Sequence, residues 1–156
     1  MKYFLFAVAL SLSFFSCQDD IQSSTPTFQG LQQGDFVWRS TVRTATVQAS
    51  GVLSISGSDG VGTMMISLPS ATVGNYSLGE GALATVTFTE EDTTYSTQNN
   101  GVEYPVYLAD GQVTIEEVNA TNKTLKGSFY FNAYDSTGTK YLNFSEGVFY
   151  NLSYTE

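Results

Sequence analysis

Apolar and polar residues alternate with a period close to two along most of the chain after residue 40. That period is the signature of strands that bury one face, and no segment shows the spacing of an apolar helical stripe. The clearest case is residues 124–134, where Phe129 and Phe131 fall on one face and Tyr130 on the other. Turn signals such as Ser50-Gly51 and Asp59-Gly60 separate the alternating segments. The pattern therefore predicts an all-β domain.

Nine segments show this alternation clearly enough to be predicted as strands: 41–48, 52–56, 63–68, 74–78, 82–89, 94–97, 112–118, 124–134 and 140–154. Residues 102–108 contain Pro105, so they are predicted as an edge strand or a loop. Glu146-Gly147 predicts a bulge inside the last strand. We expect a single antiparallel β-sandwich or a partly closed up-and-down barrel of about 8–10 short strands, spanning residues 28–156.

The first 16 residues have the layout of an export signal. Lys2 is followed by an apolar run from Tyr3 to Phe15, interrupted only by Ser11 and Ser13. A run of about thirteen residues suits a signal peptide, whereas a membrane-spanning helix needs about twenty. We predict that residues 1–16 are a signal peptide that is removed.

Phe14-Phe15-Ser16-Cys17 resembles a bacterial lipobox, with a bulky apolar residue three positions before the cysteine and a small residue just before it. The resemblance implies lipidation of Cys17, with a diacylglyceryl group on its thiol and an acyl chain such as palmitate on its new amine. Two or more acyl chains anchor a protein stably. The alternative is an ordinary secreted protein with a free or buried thiol. Lipidation of Cys17 predicts that the protein is an outer-membrane lipoprotein.

Residues 17–27 are polar and include Pro26, so they are predicted as a flexible acidic tether. Gln18-Asp19-Asp20 resembles the surface-export signal of Bacteroidota lipoproteins, which implies exposure on the cell surface. The periplasmic face of the membrane is the alternative location.

The charge of the chain is one-sided, with six basic and fifteen acidic residues and a net charge of −9. A nucleic-acid partner would require a cationic face that releases phosphate counterions, and so few positive charges exclude it. An acidic surface also repels anionic lipid, so the membrane is expected as a partner only through the anchor. Cys17 is the only cysteine, which excludes a disulfide within the chain.

Six short segments, taken in order and spacing, resemble an uncharacterised family of small Bacteroidota lipoproteins, classed as a domain of unknown function: Phe36-Val37-Trp38, residues 53–57, 74–78, 111–115 and 125–131, and Glu146-Gly147-Val148-Phe149. The resemblance implies an exported protein with an all-β fold. It implies neither an activity nor any site residues.

The composition removes most catalytic arrangements. The chain has no histidine, which excludes Ser-His-Asp and Cys-His sites and most zinc sites. A lipidated Cys17 offers no thiol nucleophile, and Lys123, Lys126 and Lys140 are predicted to be solvated rather than buried beside a serine. We therefore predict a protein that is not an enzyme and has no cofactor.

Carboxylates are the remaining candidates for chemistry. Glu90-Glu91-Asp92 is predicted as a solvated turn, and Glu116 and Glu117 as neighbours on opposite faces of a strand. Glu117 is expected on the same face as Val113 and Ile115. Ser58-Asp59-Gly60 and the Glu90 turn could offer oxygen ligands to calcium, but neither has the spacing of a calcium loop, so no metal site is predicted.

Tyrosines are the best candidates for ligand binding. Tyr130 and Tyr134 are predicted on the outward face of one strand, and Tyr95, Tyr104 and Tyr107 in or beside a loop. Exposed aromatic rings stack on sugars or anchor protein partners. The alternative is that these tyrosines simply cover a sheet, where tyrosine is a favoured residue.

Two short motifs resemble the O-glycosylation pattern of Bacteroidota, an Asp followed by Ser or Thr. They are Asp92-Thr93-Thr94 and Asp135-Ser136-Thr137, at predicted turns, so Thr93 and Ser136 are candidate acceptors.

Together these features predict a lipid-anchored, non-enzymatic binding or structural accessory module with a glycan or protein partner at the cell envelope. Two alternatives remain open. The first is a lipocalin-like carrier with an enclosed apolar cavity for a small ligand. The second is a carbohydrate-acting enzyme that uses paired carboxylates.

Overall fold

The computed structural model of the chain describes Thr25 and residues 27–156. The predicted signal peptide, Cys17 and most of the tether lie outside the described residues. The described part forms eleven strands: β1 (Thr27–Gln32), β2 (Phe36–Arg39), β3 (Val42–Val47), β4 (Leu53–Ser58), β5 (Gly62–Leu68), β6 (Gly74–Gly79), β7 (Thr85–Glu90), β8 (Thr93–Ser96), β9 (Asp110–Asn119), β10 (Thr124–Asp135) and β11 (Tyr141–Thr155).

The strands form one mixed, ring-like sheet in the order β2-β1-β11-β3-β4-β5-β7-β8-β10-β9-β6, and a further pairing of β10 with β11 closes the ring. Every pairing is antiparallel except that of β11 with β3. The ring is not a regular barrel, because β10 and β11 each change partners along their length. The fold agrees with the predicted sandwich or partly closed barrel.

The partner changes divide the ring into two walls. Residues 144–150 of β11 pair with β1, and its last residues pair with β3. On β10, residues 124–132 pair with β9, and Tyr134 and Asp135 pair with β8. We call β2-β1-β11-β10-β9-β6 the six-stranded wall and β3-β4-β5-β7-β8 the five-stranded wall.

Aromatic rings fill the space between the walls. Trp38 makes edge-on contacts with Phe28, Phe88 and Phe144, at centroid distances of 5.3, 5.9 and 6.0 Å. Phe144 also stacks on Phe131 at 5.2 Å. Phe88 belongs to the five-stranded wall and the other rings to the six-stranded wall, so these contacts join the two. Edge-on and stacked ring pairs add to the stabilisation that burial alone provides.

Glycines allow phenylalanine rings to lie close to the strands. A Cβ on Gly57 would lie 2.5 Å from a ring carbon of Phe28. A Cβ on Gly127 would collide with the Thr114 carbonyl and the ring of Phe149. Gly127 is therefore required by packing, which explains why it continues the buried face of β10 without a side chain.

Most predicted strands are confirmed with small shifts of their ends, and residues 102–108 form a loop. The predicted bulge at Glu146-Gly147 is also confirmed, because the pairing with β10 shifts register between Gly147 and Phe144 and Glu146 has a φ of 49°. The pattern missed β1 and did not place β2 among the predicted strands. Among the described residues, no helix is long and apolar enough to span a membrane.

Candidate functional site

A groove of about 990 Å³ runs over the outer face of the six-stranded wall. Its floor comes from β1, β11, β10 and β9, and Arg39 of β2 and Arg43 of β3 lie at one end. A volume of this size accommodates a ligand of several linked rings.

The floor of the groove is one row of outward side chains that crosses the wall. The strand pairings align Thr114 with Ser128, Ser128 with Val148, and Val148 with Gln29. The row continues to Asn75 at one end and to Arg39 at the other. Five steps between strands give it a length of roughly 24 Å.

Hydrogen bonds hold both ends of this row. The Thr114 hydroxyl donates to Asn75 Oδ1 over 2.9 Å, and Arg39 Nε donates to Gln29 Oε1 over 2.7 Å. The middle of the row has only short side chains, so the floor is low there. Polar groups at fixed positions on a low floor provide hydrogen bonds along an extended ligand.

Two rows of larger side chains flank the floor. One contains Lys126 and Tyr150, and the Lys126 Nζ lies 6.0 Å from the centre of the Tyr150 ring. The other contains Tyr130, which is 52% exposed, and Gln112, its partner on β9. Lys126 and Tyr130 are four residues apart on β10, so the two rows are roughly 13 Å apart. The floor therefore has a tyrosine on each side.

Charges are distributed unevenly between the groove and the rest of the protein. Arg39, Arg43 and Lys126 line the groove, which is half of the chain's six basic residues, whereas Glu116 and Glu146 are two of its fifteen acidic residues. Lys126 forms an ion pair with Glu116, with the Nζ and Oε2 atoms 3.3 Å apart. Within the described residues neither arginine has an ion-pair partner, so the arginine end of the groove is its positive end.

Of the five tyrosines predicted to bind a ligand, only Tyr130 lines the groove. Tyr134 points outward as expected, but the expectation that it is exposed is wrong, because it is only 8% exposed. Gly101 in the loop after β8 packs on its ring, and Tyr141 lies 5.4 Å from it between ring centroids. Burial raises the pKa of the Tyr134 hydroxyl, and the nearby Tyr141 and Tyr107 raise it further.

The other three predicted tyrosines do not form one site. Tyr95 is partly buried against the core, and its burial, followed by the charge of Glu90, raises the pKa of its hydroxyl. Tyr104 and Tyr107 lie in the loop between β8 and β9 and are 98% and 65% exposed. Val102, Val106 and Leu108 are exposed in the same loop.

The predicted placement of Glu117 is wrong. The pairing of β9 with β10 shifts register, so that Glu117 aligns with Lys126 and Ile115 aligns with Gly127. This bulge interrupts the alternation after Ile115. Glu117 is therefore exposed, and Val118 packs against the core in its place.

The candidate calcium turns have structural partners. Asp59 Oδ1 accepts the backbone N–H groups of Val61 and Gly62 over 2.9 and 2.7 Å, which builds the turn before β5. Glu90 accepts a hydrogen bond from Gln32 Nε2 over 3.3 Å. Within the described ranges, no group of three or more acidic residues or cysteines could hold a metal ion.

The two candidate glycosylation sites differ. Ser136 lies exposed in the turn between β10 and β11. Thr93 was expected in a turn, which is wrong: it is the first residue of β8 and is partly buried. Its hydroxyl accepts a hydrogen bond from Lys140 Nζ over 2.9 Å.

Sequence reasoning missed the arginines, Gln29 and Tyr150. These residues come from distant parts of the chain, and the pairings of β1 with β2 and β11, and of β11 with β3, bring them together. The signal that could have found Tyr150 is its outward position two residues after Val148 in the predicted last strand. Gln29 offered no such signal, because it lies in a strand that the alternation did not reveal.

Residues 24–153 match a family described as "Domain of unknown function (DUF6252)". A search of curated proteins and a search of solved structures gave no match. The match covers every strand except the last residues of β11. The chain belongs to the DUF6252 family of domains of unknown function.

Proposed function

We propose that this protein is a lipid-anchored module of the bacterial outer membrane that binds an extended saccharide in the groove without catalysing a reaction. The observation that carries the binding role is the row across six strands, polar at every position except Val148 and flanked by Tyr130 and Tyr150. Sugars present hydroxyl groups at their edges and C–H groups on their ring faces. Amide and hydroxyl side chains on a floor between aromatic rings complement both.

The packing of the interior favours this role over that of a carrier. A lipocalin-like carrier needs an empty apolar space between its walls, and here Trp38, Phe28, Phe88 and Phe144 occupy the centre. The groove, in contrast, is open to solvent and lined by polar groups.

The positions of the groove carboxylates favour binding over hydrolysis. Glu116 and Glu146 lie on opposite sides of the floor and two strands apart, which separates their backbones by roughly 16 Å. Paired glycosidase carboxylates lie about 5 to 9.5 Å apart. Glu116 is moreover held by its ion pair with Lys126.

A glycan array probed with the purified protein tests the binding role. Ser128→Trp would fill the middle of the floor, and Ser56→Trp introduces the same side chain on the outer face of the five-stranded wall. We expect the unmodified protein and the Ser56→Trp variant to bind the same glycans and the Ser128→Trp variant to lose them. The absence of any bound glycan, or equal binding by all three proteins, would contradict the proposal.

The anchor is tested separately, because it rests on Cys17 and the apolar run before it. Cells given a labelled fatty acid should incorporate the label into this protein and not into a Cys17→Ala variant. We expect that variant to leave the membrane fraction. Unlabelled wild-type protein would contradict the anchor and leave the binding test unaffected.

A further inference from the structure

We infer that the saccharide bound in the groove is acidic, and that Arg39 and Arg43 bind its carboxylate or sulfate groups. This inference rests on the proposed function and names its ligand class. The structural basis is the concentration of positive charge at one end of a groove in an acidic protein.

The arginines have no role in holding the described fold together by ion pairs. Arg39 Nε donates a hydrogen bond to Gln29 Oε1, while the terminal guanidinium nitrogens of Arg39 have no hydrogen-bond partner among the described side chains. Arg43 aligns with Gly57 on β4, and it also lines the groove formed by the other wall. A guanidinium group is suited to paired hydrogen bonds with a carboxylate or a sulfate.

The other charges of the groove explain why an anionic group of the ligand should bind at the arginine end. Lys126 is partly neutralised by Glu116, and Glu146 lies on the Tyr130 side of the floor. An anionic group is therefore best placed beside Arg39 and Arg43. Elsewhere most of the charged residues are acidic, and their negative charge repels an acidic polymer and favours its binding in the groove.

An acidic peptide is the other polymer that such charges could attract. Tyr130 and Tyr150 favour the saccharide, because rings on both sides of a low floor can stack on sugar faces. A peptide would use an unpaired strand edge, and the groove lies on the face of six hydrogen-bonded strands.

The test is a titration of the full-length lipidated protein, in detergent, with four probes. These are tetragalacturonate, a sulfated galactose tetramer, the neutral carboxyl-reduced form of tetragalacturonate, and tetraglutamate. We expect at least one acidic saccharide to bind tenfold or more tightly than the neutral tetramer and tetraglutamate. Its affinity should fall as salt is raised.

Two double variants test whether the preference for acidic saccharides comes from the arginines of the groove. Arg39→Gln/Arg43→Gln should lower the affinity for the acidic saccharide at least tenfold and remove most of its advantage over the neutral one. Lys123→Gln/Lys140→Gln removes the same charge outside the groove, so its affinity should stay within twofold of wild type. Circular dichroism checks that both fold.

Four results would overturn the inference: equal binding of neutral and acidic tetramers, equal loss in both double variants, tetraglutamate binding as tightly as the saccharides, or no binding of either acidic saccharide. If the neutral tetramer binds equally and Ser128→Trp abolishes its binding, the proposed function stands and only the acidic ligand class is wrong. If neither acidic saccharide binds, the inference fails, and the glycan array with Ser128→Trp and Ser56→Trp decides the proposed function independently.

Discussion

The two walls of the ring present very different outer faces to solvent. On the five-stranded wall, the outward strand residues are uncharged, and all but Val42 and Met65 carry a hydroxyl: Thr44, Thr46, Ser54, Ser56, Ser58, Thr63, Ser67, Thr85, Thr87, Thr89, Thr94 and Ser96. Neighbouring hydroxyls pair across strands, as Thr89 and Thr94 do at 3.0 Å. The six-stranded wall instead carries arginine, lysine, glutamate, glutamine and tyrosine in the same structural positions.

The difference shows what the fold itself requires of an outer face. Serine and threonine suffice to keep one side of a sheet soluble, and threonine has the branched shape that strands favour. The long, charged and aromatic residues of the groove exceed this requirement, and ordering them costs side-chain entropy. The proposed ligand would account for their concentration on one wall, and four predictions test this comparison.

The largest effect is expected where the groove floor depends on a glycine. Gly127→Ala forces a methyl group against the Thr114 carbonyl and the Phe149 ring, so it should lower the free energy of unfolding by about 3 kcal/mol. Ser56→Ala, on the five-stranded wall, should change it by less than about 0.5 kcal/mol. Urea denaturation followed by Trp38 fluorescence measures both. Similar values for the two variants would show that the floor tolerates backbone adjustment.

The second prediction concerns the aromatic side of the groove. Tyr130→Ala should weaken saccharide binding about fivefold, because loss of ring contact costs roughly 1 kcal/mol. Tyr104→Ala removes a more exposed ring outside the groove and should leave the affinity unchanged. Calorimetric titration with a glycan identified on the array measures the difference. A stronger effect at Tyr104 would move the site to the loop between β8 and β9.

The third prediction concerns the hairpin of β10 and β11, which belongs to the six-stranded wall and pairs with β8 and β3 of the five-stranded wall. The Thr137 hydroxyl and the backbone N–H groups of Lys140 and Thr139 donate to Asp135 and lower the pKa of its carboxyl. A lowered pKa in the folded state adds stability above the ordinary value of about 4, and this is lost as pH falls through the folded value.

Urea midpoints at pH 7 and pH 3 measure this contribution. The wild-type midpoint should fall on acidification, and the fall should be smaller in Asp135→Asn, which lacks the titrating group. An identical pH dependence in both proteins would assign the acid sensitivity to other carboxylates.

The smallest effect is expected at the boundary between groove and core. Ser40 lines the groove, yet its Oγ is buried and has no hydrogen-bond partner among the described residues. Ser40→Ala removes an unsatisfied polar group and should raise the free energy of unfolding by up to about 1 kcal/mol. Saccharide affinity should not change. A loss of stability would reveal a partner such as an ordered water.

The alternation in the sequence was sufficient to predict most strands, because one face of each is buried. It placed Tyr130 outward and Phe129 and Phe131 inward, and both placements are confirmed. It missed β1, whose buried face consists of Phe28, Gly30 and Gln32, so that Phe28 is the one large apolar side chain on that face, while Leu31 lies on the outer face. The alternation is hard to recognise where a glycine occupies an inward position, because glycine has no apolar side chain to mark the buried face.

The alternation of apolar and polar residues could not predict which distant strands pair. Alternation says which way a side chain points, but not which strand lies beside it, so the row from Asn75 to Arg39 was not visible. Tyr134 has the outward orientation that was predicted, but a distant loop covers it. Glu117 was misplaced because a bulge in β9 shifts the alternation by one residue.

The closing role of β11 has a consequence for how the protein is made. Its pairing of Tyr150 with Thr27 joins the first and last strands, and β11 also contacts β3 and β10. The ring cannot close while these fifteen residues are still inside the ribosome. Contacts of such long sequence separation slow folding, so the nascent polypeptide remains open until β11 has been synthesised.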